Sequence, residues 1–115
     1  MQTVIYHNPR CSKSRQTLEL LQARGIKPQV IEYLQTPPSE KEIGAILEML
    51  GMEPRDLMRK QETPFKERNL GSEEKTRAQL IAALHDHPVL IERPIVVHQG
   101  KAAIGRPPEN VLAIL

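Results

Sequence analysis

This chain of 115 residues contains 39% apolar and 26% charged residues and has a formal net charge of +2. Such a length and composition predict one folded domain with a single hydrophobic core. The mild charge and the scarcity of aromatic residues (two tyrosines, one phenylalanine and no tryptophan) argue against nucleic acid as a partner. No stretch approaches the roughly 18 apolar residues of a membrane span, so we expect no membrane partner either.

The first third of the chain has the pattern of a β-α-β unit. The apolar run Thr3–Tyr6 predicts a strand, a leucine-containing helical pattern follows and ends at Gly25, and Val30–Leu34 predicts a second strand. A helix that connects two strands in this way favours a parallel pair.

The middle of the chain predicts helices. Ser39 and Glu42 have the spacing of a capping box before a helix that ends at Gly51. Arg77–His85 predicts another helix, and the polar stretch between the two predicts only short helices such as Arg55–Lys60.

The last part predicts two short strands, Ile95–Val97 and Ala102–Ile104, joined by a tight turn at Gln99-Gly100. A short helix follows, which opens at Pro107. The order β-α-β, helices, β-β-α predicts an α/β protein with a thioredoxin-like fold, in which helices flank a mixed four-stranded sheet.

We expect residues 1–115 to form one domain. Its thioredoxin-like halves cover about 1–35 and 86–115, and a helical insertion covers about 36–85.

Cys11, the one cysteine of the chain, lies at the predicted junction of the first strand and helix. Backbone N–H groups and the helix dipole favour an anion there, which lowers the pKa of a thiol and makes the sulfur a nucleophile. A lone cysteine can also be a small buried apolar residue, but the polar neighbours of Cys11 disfavour this reading. Without a second cysteine any redox cycle needs an external thiol, and we expect the reducing cytosol as the location.

Neighbouring residues support a reactive thiol. Ser14 stands where a Cys-x-x-Cys motif has its second cysteine, and its hydroxyl could hydrogen-bond the thiolate. Lys13 and Arg15 add positive charge in the same turn, and His7 precedes the cysteine closely enough to approach the sulfur.

Two other chemistries fit poorly. A cysteine phosphatase loop needs an arginine where this chain has Thr17. A zinc site needs about four ligands, and His7 with Cys11 supplies only two at a loose spacing. His85 and His87 flank a predicted helix end, where we expect them to cap the helix or face solvent. We therefore expect no metal.

Six blocks in order along the chain carry a family resemblance: His7-Asn8-Pro9-x-Cys11-x-x-Ser14-Arg15-x-Thr17-Leu18, Tyr33-Leu34-x-Thr36-Pro37-Pro38, Leu57-x-Arg59-Lys60, His87-Pro88-x-Leu90-Ile91-x-Arg93-Pro94-Ile95-Val96-Val97, Gly105-Arg106-Pro107 and Val111-Leu112-x-Ile114-Leu115. These blocks resemble those of the glutaredoxin-dependent arsenate reductases, which have a thioredoxin-like domain with a helical insert. The resemblance implies an oxidoreductase that reduces arsenate to arsenite. It implies glutathione as co-substrate, glutaredoxin as protein partner and no bound cofactor.

The resemblance also implies roles for individual residues. Cys11 matches the nucleophile that forms a cysteine-bound arsenate adduct, and Arg59, Arg93 and Arg106 match the arginines that bind the oxyanion. Planar guanidinium groups suit this task because they donate paired hydrogen bonds and never lose their charge.

Other matched residues are supporting ones. His7, Ser14 and Arg15 lie near the nucleophile, and Pro94 resembles the cis-proline that faces the active site in thioredoxin-like folds. Arg10, Ser12 and Lys13 are larger or more charged than the small residues that those enzymes carry beside the nucleophile.

Two alternatives remain at this level. One is a redox-sensing regulator of the same fold that binds RNA polymerase, although such regulators use a Cys-x-x-Cys pair that Ser14 interrupts. The other is a glutathione-dependent thiol reductase with a different substrate, which would need Cys11 but tolerate loss of Arg93 or Arg106.

Overall fold

The computed structural model describes residues 2–115, which divide into two units. The first unit contains the described residues up to Thr36 together with Arg93–Leu115, and the second contains Pro37–Glu92.

The first unit is built on a four-stranded sheet. Its strands are β1 (Val4–His7), β2 (Gln29–Glu32), β3 (Ile95–His98) and β4 (Lys101–Ile104), in the order β2-β1-β3-β4. β1 is parallel to β2 and antiparallel to β3, which is antiparallel to β4. This mixed sheet confirms the predicted α/β thioredoxin-like fold.

Helix α1 (Ser12–Ala23) connects β1 to β2 and covers the sheet. Its core residues pack with those of the sheet and of a C-terminal 3-10 helix (Pro108–Ile114), and the members of this fully buried cluster are Ile5, Leu21, Val96 and Val111. Burial of each such aliphatic side chain contributes about 1.5–3 kcal/mol to stability. Helix α1 is therefore anchored to the sheet through Leu21 in its last turn.

The second predicted strand ends earlier than expected. It stops at Glu32, since the backbone N–H groups of Gln35 and Thr36 both donate to the Glu32 carbonyl and turn the chain. Leu34 consequently lies outside the sheet with 45% of its surface exposed. The apolar run that predicted the strand continues to Leu34, beyond the point where this turn ends the strand.

The predicted hairpin between β3 and β4 is confirmed. Gln99 and Gly100 both have positive φ angles, 50° and 78°, which is the conformation of the two-residue turn that matches strand twist.

In the second unit the predicted capping box is confirmed. Helix α2 (Glu40–Leu50) begins after Ser39, whose hydroxyl accepts a hydrogen bond from the Glu42 N–H at 3.1 Å. The Glu42 carboxylate accepts one in return from the Ser39 N–H at 2.9 Å. Gly51 ends the helix with a φ of 66°, a left-handed conformation that glycine adopts without steric cost.

The other α-helices described in this unit are α3 (Thr63–Glu67) and α4 (Arg77–Asp86). The short helix predicted at Arg55–Lys60 is a 3-10 helix over Pro54–Leu57, and a second 3-10 helix covers Pro88–Leu90. None of the helices described in residues 2–115 is both long and apolar enough to span a membrane.

Candidate active site

Cys11 is the residue that immediately precedes helix α1. It has an extended backbone conformation, and its thiol is partly exposed. The loop before it is closed by two hydrogen bonds: the Cys11 N–H donates to the Asn8 carbonyl at 3.0 Å, and Arg15 Nη1 donates to the Pro9 carbonyl at 2.9 Å. Arg15, expected as a supporting residue, thus ties the cysteine loop to the first turn of the helix.

The surroundings of the sulfur favour the thiolate. Partial burial raises the pKa of Cys11, but the backbone N–H of Ser14, the guanidinium of Arg93 and the backbone N–H of Lys13 together outweigh it, so the pKa is lowered from its usual value. These are the donors and charges by which a helix N-terminus activates a cysteine.

Two of the arginines identified from the sequence lie at the thiol. Arg106 Nη1 is 3.7 Å from Cys11 Sγ and 3.4 Å from the backbone oxygen of Arg93. Arg93 hydrogen-bonds the sulfur through its side chain. Each arginine precedes a proline in a cis peptide, Pro94 and Pro107. The resemblance implied a cis peptide bond at Pro94, and the Arg93–Pro94 bond is cis. The cis bond between Arg106 and Pro107 was not predicted from the sequence.

Gly105 allows the Arg106 loop to approach helix α1. A Cβ atom at this buried position would lie 2.9 Å from Pro94 Cγ and closer still to Thr17 Oγ1. The Thr17 hydroxyl donates to the Lys13 carbonyl at 2.8 Å and therefore stays in place. Sequence reasoning gave Gly105 no role, although the glycine directly before a candidate arginine was a signal.

His7 and Ser14 form a buried pair beneath the loop. Ser14 Oγ lies 2.6 Å from His7 Nδ1 and accepts a hydrogen bond from the Asn8 N–H at 3.0 Å. The expected hydrogen bond from the Ser14 hydroxyl to the thiolate is thus replaced by one from the Ser14 backbone N–H. The physical reason is that the buried imidazole and a backbone donor already engage the hydroxyl.

Burial lowers the pKa of His7, the negative charge of Glu32 opposes this effect, and the positive charge of Arg15 adds to it. His7 is therefore neutral near pH 7. A neutral imidazole can share one hydrogen with the Ser14 hydroxyl, so the pair positions the loop without adding charge to it.

Arg59, the third candidate arginine, belongs to the second unit. Its backbone N–H donates to the Leu90 carbonyl at 2.7 Å, and its guanidinium contacts Glu62 (Nε to Oε2, 3.3 Å) and Glu92 (Nη1 to Oε1, 3.2 Å). Two carboxylates thus hold the side chain, which is 21% exposed. The Glu92 contact was not predicted from the sequence.

Within residues 2–115, as described, no three His, Cys, Asp or Glu side chains are grouped so as to hold a metal ion.

This is a protein of the thioredoxin-like class, with a cysteine just before its first helix and arginines at the sulfur. The chain belongs to the ArsC family, which matches residues 6–114. It is 52% identical over 115 residues to the uncharacterized protein YfgD of Escherichia coli, with 99% of this chain and 97% of YfgD covered. It is 48% identical over 112 residues to an arsenate reductase of Neisseria meningitidis, with 96% of each chain covered. The solved structure of an arsenate reductase from Vibrio cholerae is 55% identical, with a TM-score of 0.96 over 100% of this chain and 98% of that one.

Proposed function

We propose that this protein is an oxidoreductase that reduces arsenate to arsenite, with Cys11 as the nucleophile. The observation that carries the proposal is the placement of two guanidinium groups, those of Arg93 and Arg106, at a thiol whose pKa is lowered. Full-length relatives named arsenate reductase at close to 50% identity support it.

In the first step the Cys11 thiolate attacks the arsenic atom of arsenate. A sulfur–arsenic bond forms, one arsenic–oxygen bond breaks, and the departing oxygen takes up protons and leaves as water. Arg93 and Arg106 offset the repulsion between the thiolate and the incoming anion. They also donate to the oxygens on which negative charge is concentrated in the transition state.

The family resemblance assigns Arg59 as a third ligand of the oxyanion. A guanidinium has five N–H donors, so its contacts with Glu62 and Glu92 leave other donors for a substrate oxygen. The carboxylates hold the side chain in one orientation, which lowers the entropy lost on binding.

Turnover requires thiols from outside the chain, because Cys11 is its only cysteine. Glutathione attacks the arsenic atom of the Cys11 adduct, so a second sulfur–arsenic bond forms and another oxygen leaves as water. The glutaredoxin thiolate then attacks the glutathione sulfur, a disulfide forms between them, and the electron pair of the broken glutathione–arsenic bond stays on arsenic. Arsenic(V) takes up two electrons and leaves as arsenite, and the two external thiols that supply them end as a disulfide. Water displaces the Cys11 sulfur from arsenic(III), so the sulfur–arsenic bond breaks, arsenite is released and Cys11 returns to the thiol state. Such a cycle runs in a reducing compartment, and we place it in the cytosol.

The proposal is tested by arsenate-dependent NADPH consumption coupled through glutathione reductase, with glutathione and glutaredoxin added together or withheld one at a time. We expect turnover only when both are present. Turnover with glutathione alone would remove glutaredoxin from the mechanism. No turnover with any combination would remove arsenate as the substrate and favour a thiol reductase with another substrate.

A further inference from the structure

A cavity of about 200 Å³ lies beside the cysteine loop. One wall is the loop from His7 to Arg10, and the other consists of Glu32, Leu34 and Gln35 at and after the end of β2. We refer to it as the loop cavity. It opens where the carboxyl ends of the parallel strands β1 and β2 lie side by side, with His7 in register with Glu32. In α/β sheets this edge is the usual place for a ligand.

The loop cavity carries one charge of each sign. Arg10 and Glu32 are both exposed, and among the described residues they form no ion pair with each other. Glu32 is paired with His7 across the two strands, and its negative charge acts on the imidazole. The cavity therefore offers a cation for a carboxylate and an anion for an ammonium group.

An apolar surface completes the lining. Leu34 is 45% exposed because the turn after Glu32 removes it from the sheet. A ligand with an α-amino and an α-carboxylate group on a short methylene chain matches all three features. Arsenate, a compact anion without apolar surface, does not.

The cavity adjoins the nucleophile along the chain, because Arg10 is one of its lining residues. Arg10 precedes Cys11 directly, and adjacent Cα atoms are about 3.8 Å apart. A peptide arm of about two residues spans roughly 7 Å when extended. Such an arm would carry the thiol of the ligand from the cavity toward the arsenic atom of the Cys11 adduct.

We propose that the loop cavity binds the γ-glutamyl end of glutathione. Arg10 receives its α-carboxylate, Glu32 its ammonium group, and Leu34 its methylene groups. The proposal rests on the proposed function in that glutathione is taken as the thiol that attacks the Cys11 adduct. It gives a purpose to the charged residue Arg10 directly before the nucleophile.

The first test is the KM for glutathione in Arg10→Gln and Glu32→Gln. We expect each substitution to raise the KM for glutathione about five- to tenfold, because each removes one charged hydrogen bond at a solvent-exposed position. The KM for arsenate should be unchanged. Arg24→Gln and Glu19→Gln, which alter exposed charges outside the cavity, just after α1 and within it, serve as matched controls. When 2-mercaptoethanol, which has neither charged group, replaces glutathione, the variants should react like the wild type. An unchanged KM for glutathione, or an equal loss with both thiols, would overturn the proposal.

The second test does not depend on turnover. S-Methylglutathione, which cannot react, is titrated into the isotope-labelled full chain, and backbone NMR signals are followed. We expect shifts at Arg10, Glu32 and Gln35 that weaken in the Glu32→Gln variant. If these shifts appear but the protein fails to reduce arsenate, the glutathione site in the loop cavity is supported and the proposed function is refuted. Shifts confined to Arg93 and Gly105, or no shifts at all, would overturn the site and leave the proposed function standing.

Discussion

Arg106 Nη1 lies 3.7 Å from Cys11 Sγ although 95 positions separate the two residues in the chain. The contact exists because the antiparallel strands β3 and β4 bring the chain back to the end of the sheet at which β1 leads into α1. It brings a permanent positive charge to the sulfur without adding a proton that the thiolate could take up.

Replacement of Arg106 by alanine should weaken oxyanion binding. We expect the KM for arsenate to rise about 10- to 100-fold, because a charged hydrogen bond contributes about 1.5–3 kcal/mol. Arg106→Lys should recover only part of this loss, since an ammonium group cannot donate as a planar fork. Steady-state kinetics provide the measurement, and Arg24→Ala, at the exposed residue that follows α1, should behave as the wild type. Equal KM values for Arg106→Ala and Arg24→Ala would contradict the assignment.

The reactivity of Cys11 should extend to lower pH than that of a free thiol. An unperturbed cysteine titrates at about 8.5, and the pKa of Cys11 is lowered. Alkylation by iodoacetamide needs the thiolate, so its rate should fall only when the pH drops through the lowered pKa. Arg93→Ala should move the midpoint of this profile upward, because a charge that stabilises the thiolate is lost. A midpoint equal to that of glutathione measured alongside would refute the activation of Cys11.

Removal of the Ser14 hydroxyl should affect stability more than reactivity. Ser14→Ala leaves the buried His7 Nδ1 and the Asn8 N–H without their partner, and an unsatisfied buried group costs about 1–3 kcal/mol. The pKa of Cys11 should change little, because the Ser14 backbone N–H remains.

Urea unfolding and the alkylation profile of the same variant separate these two effects. Ser12→Ala, at an exposed position of the same turn, is the matched control. A large rise of the Cys11 pKa in Ser14→Ala, with unfolding unchanged, would restore the hydroxyl–thiolate contact that the sequence suggested.

A methyl group at Gly105 should disturb both packing and the site. Gly105→Ala places a Cβ against Pro94 and Thr17, and overpacking of this kind costs about 1–3 kcal/mol. Since Arg106 is the next residue, the KM for arsenate should rise as well. Gly44→Ala is the matched control: its Cβ meets nothing within 4 Å inside α2, and it should stabilise the protein by roughly 0.5–1 kcal/mol. Thermal unfolding of both variants gives the comparison, and equal stabilities would show that the tight fit at Gly105 is not real.

Much of the fold could be predicted because local signals and the global architecture agree. The capping box at Ser39, the left-handed Gly51 and the Gln99-Gly100 turn depend on short-range chemistry that is visible in the sequence. The early end of β2 could not be predicted, because the apolar pattern continues past Glu32 while the backbone hydrogen bonds end the strand.

The candidate site was harder to predict than the fold. Cys11, Arg93 and Arg106 were identified from motifs as candidate site residues. That Cys11 attacks an oxyanion and that the two arginines bind it stays a prediction. The partner of the Ser14 hydroxyl and the carboxylates on Arg59 depend on where side chains of distant segments lie. No spacing rule contains that information.

Arsenate turnover by the Cys11→Ser variant shows whether the Cys11 thiolate is the group that attacks arsenate. With saturating glutathione and glutaredoxin, the wild type should convert arsenate to arsenite continuously. The serine variant, which folds around a nearly isosteric but far less acidic hydroxyl, should show no arsenite above the protein-free background. Steady arsenite production by Cys11→Ser at a rate near that of the wild type would contradict the account.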